Sequence, residues 1–152
     1  MTTVPHAAFT GVAIGGRGLL IEGPPGSGKS SLALALIDRG ALLIGDDAVR
    51  IDPRADGPHA LLPENTAGLI EIRNVGLVEL RCESAPVALI LTLDPQAPRF
   101  PFDIAHREIG GAAIPCLPFR PGDAIQALRA EHALEKHGLP LSLAAKTGES
   151  NK

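Results

Sequence analysis

At 152 residues, with 45% hydrophobic and 20% charged positions, the chain has the size and composition of one soluble globular domain. A formal charge of −3 and an aromatic content of 3%, without Trp or Tyr, argue against the basic footprint and base-stacking platforms of a nucleic-acid-binding protein. No apolar run approaches a membrane span, the start MTTVPHAAFTG has no secretory pattern, and Cys82 and Cys116 fit no metal or redox spacing; a cytoplasmic protein with reduced cysteines is expected.

Small and apolar residues from His6 to Ile14 predict a first strand ending at Gly15-Gly16. Gly18 to Glu22 predicts a buried strand feeding a glycine-rich loop, and Lys29 to Arg39 a helix. Leu32 to Ile37 are apolar on every face, so that helix is expected to be enclosed by its neighbours, with Gly40 ending it. Ala41 to Ile44 reads as a buried strand running into Gly45-Asp46-Asp47, and Val49 to Ile51 as an extended segment before the turn-rich Asp52 to Pro58. Leu69–Arg73 and Gly76–Arg81 read as strands, and Pro86–Leu93 as a central one. Asp94 to Pro121 holds six prolines and no clear periodicity, which predicts mostly loop. A last helix is expected from Asp123, with Asp123 and Gln126 forming a capping box and Gly138 and Pro140 the stop. This pattern predicts an α/β fold, a P-loop-containing domain with a central mixed β-sheet flanked by helices, over residues 1–140, followed by a flexible tail over 141–152.

The chemistry begins at Gly23-Pro24-Pro25-Gly26-Ser27-Gly28-Lys29-Ser30-Ser31. A strand, a G-x-x-x-x-G-K-S loop and a helix form the context of a triphosphate site. Gly23 and Gly28 permit the close backbone approach that turns successive N–H groups toward phosphate oxygens. Lys29 is expected to reach the β- and γ-phosphates, and Ser30 to offer its hydroxyl to Mg²⁺. Asp46-Asp47 follows an apolar strand, where adjacent carboxylates can divide the work: one orients metal-bound water and the other takes a proton from an incoming hydroxyl. The same pair also suits a plain turn. Asp94, after its own apolar run, is a rival for the metal role. Glu71 and Arg73 share one strand face and can serve metal and phosphate or simply pair with each other. His6 and Arg120 are undetermined on residue chemistry alone.

Taken together, His6, GPPGSGKSSLALALIDRGALLIGDD, LIEIRNVGLVEL and LPFRPGD resemble the catalytic domain of the HPr kinase/phosphorylase family, in its short alphaproteobacterial form, over roughly His6 to Leu134. The resemblance implies an ATP- and Mg²⁺-dependent protein-serine kinase. Its substrate would be an HPr-like carrier of the phosphotransferase system that regulates carbon and nitrogen metabolism, with reversal by phosphorolysis. It makes Asp47, beside Asp46 and helped by His6, the base for the serine hydroxyl. Glu71 becomes a metal-side carboxylate, Arg120 an active-site cation on a mobile loop, and the assembly a ring-like homo-hexamer, while Asp94 loses its claim. Three positions depart from the family pattern: Ser31 replaces an acid, Asn74 a glycine and Asp123 an arginine. A nucleotide-sensing module and a small-molecule kinase stand as the alternative readings.

Overall fold

The structure, a computed structural model, describes residues 4–6 as backbone and residues 9–141 with their side chains. The expected flexible tail lies, from 142 onward, outside the described residues.

The chain opens with β1 (Val4–His6), β2 (Phe9–Ile14) and β3 (Arg17–Glu22). Gly15 and Gly16, with φ of 57° and 84°, make the tight left-handed turn that joins β2 to β3. Helix α1 (Lys29–Asp38) follows, then β4 (Leu42–Gly45) and a hairpin of β5 (Val49–Arg54) and β6 (Gly57–Leu61). The stretch read as turn-rich is therefore strand on both sides of Ala55-Asp56, with Pro53 facing Pro58 across the ladder. Next come the two-stranded β7 (Leu69–Ile72) and β8 (Gly76–Glu79), and the long β9 (Ala85–Leu93).

Two expectations fail after β9. The segment read as loop contains β10 (Ala105–Ile109) and β11 (Ala112–Phe119), an antiparallel hairpin closed by Gly110 and Gly111 at φ 55° and 85°. Its prolines are tolerated because each has a ladder on one flank only: Pro115 faces β10 alone and Pro118 faces β9 alone. The last helix, α2 (Gln126–His137), starts three residues later than expected. The capping box does not form; Asp123 accepts the Ile125 N–H at 3.0 Å in a turn ahead of the helix, and Gln126 Oε1 takes the Gly122 N–H at 2.9 Å.

The main sheet runs β1-β5-β6-β9-β3-β2-β4, with β11 joining β9 and β10 joining β11. One edge of β9 pairs with β3 in parallel; its other edge pairs with β6 at Ala85-Pro86 and with β11 from Ile90 to Leu93. Leu19 and Ile21 point to a core shared with Leu32 and Leu36 of α1 and Ala130 and Leu134 of α2. Leu20 and Ile90 point the other way, into a core closed by Val49, Ile51, Ala60 and Ile114. Burial on both faces explains the unbroken apolar runs of β3 and β9. Both helices lie on one face, and α1 is not enclosed all round: Leu34, Ala35 and Ile37 stay half-buried. Because β3, β9 and β11 are parallel, and β4 returns to that direction through β2, the carboxyl ends of all four strands meet on one side.

Candidate phosphate-binding and catalytic site

Glycines shape the phosphate loop, Gly23 by a close approach and Gly26 and Gly28 by left-handed backbone conformations. A Cβ on Gly23 would sit 2.5 Å from Ser27 Oγ and 3.2 Å from Leu93 Cβ. The Ser27 N–H closes a turn on the Pro24 carbonyl at 3.0 Å, and Gly26 and Gly28 take φ of 79° and 106°. Helix α1 then begins with no acidic residue in its first turn, which keeps its positive end available for an anion. Ser27 Oγ is buried without a hydrogen-bond partner, a polar atom left for a ligand to satisfy.

Lys29 is only 8% exposed. Its Nζ donates to the Gly23 carbonyl at 2.8 Å and pairs with Asp47 Oδ1 at 2.9 Å. The strand β4 delivers Asp46 and Asp47 through a turn so tight that a Cβ on Gly45 would lie 1.9 Å from the Ala48 carbonyl oxygen. Asp47 adopts φ 55°, a left-handed conformation that Asp tolerates better than most residues.

The two carboxylates sit in different surroundings. Asp46 Oδ1 accepts from Ser30 Oγ at 2.6 Å and from Thr10 Oγ1 at 3.3 Å, and Oδ2 accepts the Glu71 N–H at 3.2 Å. Asp47, by contrast, has a side chain 61% exposed. Thr10, fully buried on β2, binds both: its hydroxyl also accepts the Asp47 N–H at 3.1 Å. Thr10 was not visible as a site residue, because one threonine inside an apolar strand reads as filler.

A hydroxyl and a carboxylate in contact beside a phosphate loop are hard oxygen donors of the kind Mg²⁺ takes, completed by water and phosphate. Among the described residues there is no group of three or more His, Cys, Asp or Glu that could hold a metal ion. Ser30 and Asp46 are thus the residues that fit such an ion.

The other expected site residues are distributed around this centre. Glu71 reaches Asp46 through its backbone amide, while its side chain is exposed, as are those of Arg73 and Ser31. The His6 backbone pairs with Val49, two residues beyond Asp47; the His6 side chain lies outside the described residues. Asp94 caps its own turn by accepting the Gln96 N–H at 2.8 Å. Arg120 is exposed at the end of β11, and its neighbour Pro121 lies 3.7 Å from where a Gly28 Cβ would stand.

One further pair borders the loop. Glu22, the last residue of β3, accepts two hydrogen bonds from the Arg107 guanidinium at 2.5 Å each and one from Thr92 Oγ1 at 2.6 Å. Burial pushes the Glu22 carboxyl up, but the Arg107 and Thr92 hydrogen bonds and the Arg107 charge outweigh it and hold the carboxyl below its usual range. The hydrogen bonds to Glu22 raise Arg107 in turn. The pair ties the β10–β11 hairpin to the start of the phosphate loop.

Comparison with known proteins places this geometry in context. The family model of the HPr serine kinase C-terminal domain matches residues 2–83. The HPr kinase/phosphorylase of Bordetella pertussis is 43% identical over 81 residues, covering 53% of this chain and 26% of that protein. Its counterpart in Mycoplasmopsis pulmonis is 41% identical over 69 residues, covering 45% and 22%. The matched segment thus spans about a quarter of the length of these curated relatives. The structure of the HPr(Ser) kinase/phosphatase from Coxiella burnetii superposes with a TM-score of 0.70 at 26% identity, over 89% of this chain and 92% of that one.

Proposed function

The chain belongs to the HPr serine kinase C-terminal domain family, and from that premise we propose that it is an ATP-dependent protein-serine kinase acting on an HPr-like carrier protein. The observation that carries the reading is the pairing of Lys29 with Asp47 at 2.9 Å and of Ser30 with Asp46 at 2.6 Å, on one loop and one turn at the carboxyl ends of β3 and β4. A phosphate grip and an accessible carboxylate stand side by side there.

In this mechanism the backbone N–H groups of Gly26 to Ser30 and the N-terminus of α1 bind the β- and γ-phosphates. Lys29 moves from Asp47 and the Gly23 carbonyl to the phosphate oxygens and offsets the charge of the transferring group. Mg²⁺, when bound, neutralises phosphate charge. Ser30 and Asp46 would hold it, and the Thr10 hydroxyl and Glu71 amide keep Asp46 turned toward Ser30. Asp47, freed from Lys29 and open to solvent, accepts the proton of the incoming serine hydroxyl. His6 assists on the acceptor side, the Glu71 carboxylate stands on the metal side, and Arg120 contributes positive charge from its loop. Phosphorolysis of the phosphoserine, a homo-hexameric ring, a cytoplasmic setting and a catalytic unit over residues 1–140 complete the reading.

The test is incubation of the protein with γ-labelled ATP, Mg²⁺ and HPr-like carriers from the same organism, followed by phosphosite mapping. Label on a carrier serine is expected. Tight ATP binding with no transfer would instead establish a sensing module, and turnover on a metabolite would establish a small-molecule kinase.

A further inference from the structure

Between the end of β11 and the start of α2 the chain passes the phosphate loop as a short strap, Arg120-Pro121-Gly122-Asp123. Pro121 Cβ lies 3.7 Å from where a Cβ on Gly28 would stand. We propose that Arg129, one turn into α2, is a positioning residue for phosphoryl transfer: it fixes this strap so that Arg120 presents its charge beside the phosphate loop. The inference rests on the kinase reading, in which Arg120 contributes positive charge, and adds what holds Arg120 in place.

No ladder or helix holds the strap. The pairing of β11 with β9 ends at Phe119 opposite Leu93, and α2 begins only at Gln126. Gly122 takes φ 103°, which a glycine adopts without cost but which adds no rigidity. The fixed points are side chains of α2. Arg129 Nη2 donates to the Arg120 carbonyl at 2.5 Å and stands 3.2 Å from Asp123 Oδ2, so one nitrogen grips both ends of the strap. Between them Gln126 Oε1 takes the Gly122 N–H at 2.9 Å.

Arg129 is itself well placed to act as the anchor. Its guanidinium lies 4.5 Å from the ring centroid of Phe119, a core residue only 5% exposed. A planar fork laid on a buried ring has little freedom to turn. The contacts therefore run from the core through Arg129 to the Arg120 carbonyl, and from there through Pro121 to Gly28. Arg120 has its carbonyl held while its side chain is exposed. A charge on a long, flexible stem serves a transition state only if its backbone is placed, and a shift of about 1 Å can cost about a hundredfold in rate.

Arg129→Met keeps the apolar stem and removes the donor. At saturating ATP and HPr-like carrier its transfer rate should fall about tenfold. Hydrogen exchange at Gly122 and Ile125, whose N–H groups close the strap, should quicken, while Ala130 and Leu134 within α2 keep their protection. The decisive readout is coupling with Arg120→Ala. In that background Arg129→Met should change the rate by less than about twofold, because the residue it positions is gone. Asp123→Asn, at a side chain 55% exposed, removes only the ion pair and should lower the rate about threefold, again only while Arg120 is present. Thermal unfolding reports whether each variant is folded, and Asp123→Asn decides the matter if Arg129→Met is not. Equal fractional losses with and without Arg120 mark a merely structural role and overturn the proposal. So does a wild-type rate in the folded Arg129 and Asp123 variants, or in Arg120→Ala, and these results leave the kinase reading standing. No transfer by the wild type to any HPr-like carrier refutes the kinase reading itself, and this inference with it.

Discussion

Thr10→Val replaces a fully buried hydroxyl with a methyl group of nearly the same shape, so packing is conserved while two hydrogen bonds are lost. The Asp47 N–H loses its acceptor at 3.1 Å and Asp46 Oδ1 loses a donor at 3.3 Å. Water cannot reach Thr10, so the first loss is near the full cost of an unmade bond, and the second, long but to a charged group, adds a smaller increment. Together they come to about 2 kcal/mol. The lost bond also held Asp47 in its left-handed conformation at φ 55°. Urea unfolding should show a lower midpoint at an unchanged slope. Phosphotransfer should fall about tenfold or more while ATP affinity stays within a few-fold, because Lys29 and the loop glycines are untouched. Thr10→Ser, which retains the hydroxyl, should recover most of the transfer rate. A stability loss below about 0.5 kcal/mol in Thr10→Val, the level of an ordinary surface substitution, together with undiminished transfer, would refute the argument that Thr10 positions both aspartates.

Glu22→Gln should cost about 1–2 kcal/mol at neutral pH, between the values of exposed and buried ion pairs, since Arg107 keeps partial access to water. The Glu22 carboxyl is held below its ordinary range in the fold, so its contribution is complete above the unfolded value and disappears as pH falls through the lowered folded one. Wild type and variant should therefore converge in acid, and a gap that widens there would contradict the account. Gly45→Ala places a Cβ 1.9 Å from a backbone oxygen and should cost on the order of 3 kcal/mol in thermal unfolding. Gly26→Ala, with open space but φ 79°, should cost only about 1–2 kcal/mol, and equal effects would show that the backbone around Gly45 shifts to relieve its close contact.

Much of the first half of the fold was legible because its signals are local. Gly15-Gly16, the apolar run before Gly23 and the glycine spacing of the loop each specify their own geometry within a few residues. The second half misled because proline content outweighed the pattern beneath it. Gly110-Gly111 between AHREI and AAIPCLPF is the same hairpin signal as Gly15-Gly16, and Pro115 and Pro118 are harmless only because each has one unpaired flank. That depends on which strands stop where, which no local pattern records. The helix start failed for a similar reason: Asp123 and Gln126 serve the turn before α2 instead of its cap. Within the site, Lys29, Ser30, Asp46 and Asp47 were legible from type and spacing. The roles of Thr10 and of the Glu22–Arg107 pair depend on contacts 37 and 85 residues apart in sequence and appear only once the strands are assembled.

The central claim is that Asp47 takes the proton from an acceptor serine beside a phosphate grip that works without it. Asp47→Asn removes the basic carboxylate, keeps the shape of the side chain, and places a residue that tolerates φ 55°. The decisive measurement is the rate of labelled phosphate transfer from ATP to the carrier serine by this variant, alongside its ATP dissociation constant. The account predicts a fall in transfer of about 10²–10⁴-fold with ATP affinity changed by no more than a few-fold. Transfer at the wild-type rate would remove Asp47 from the chemistry.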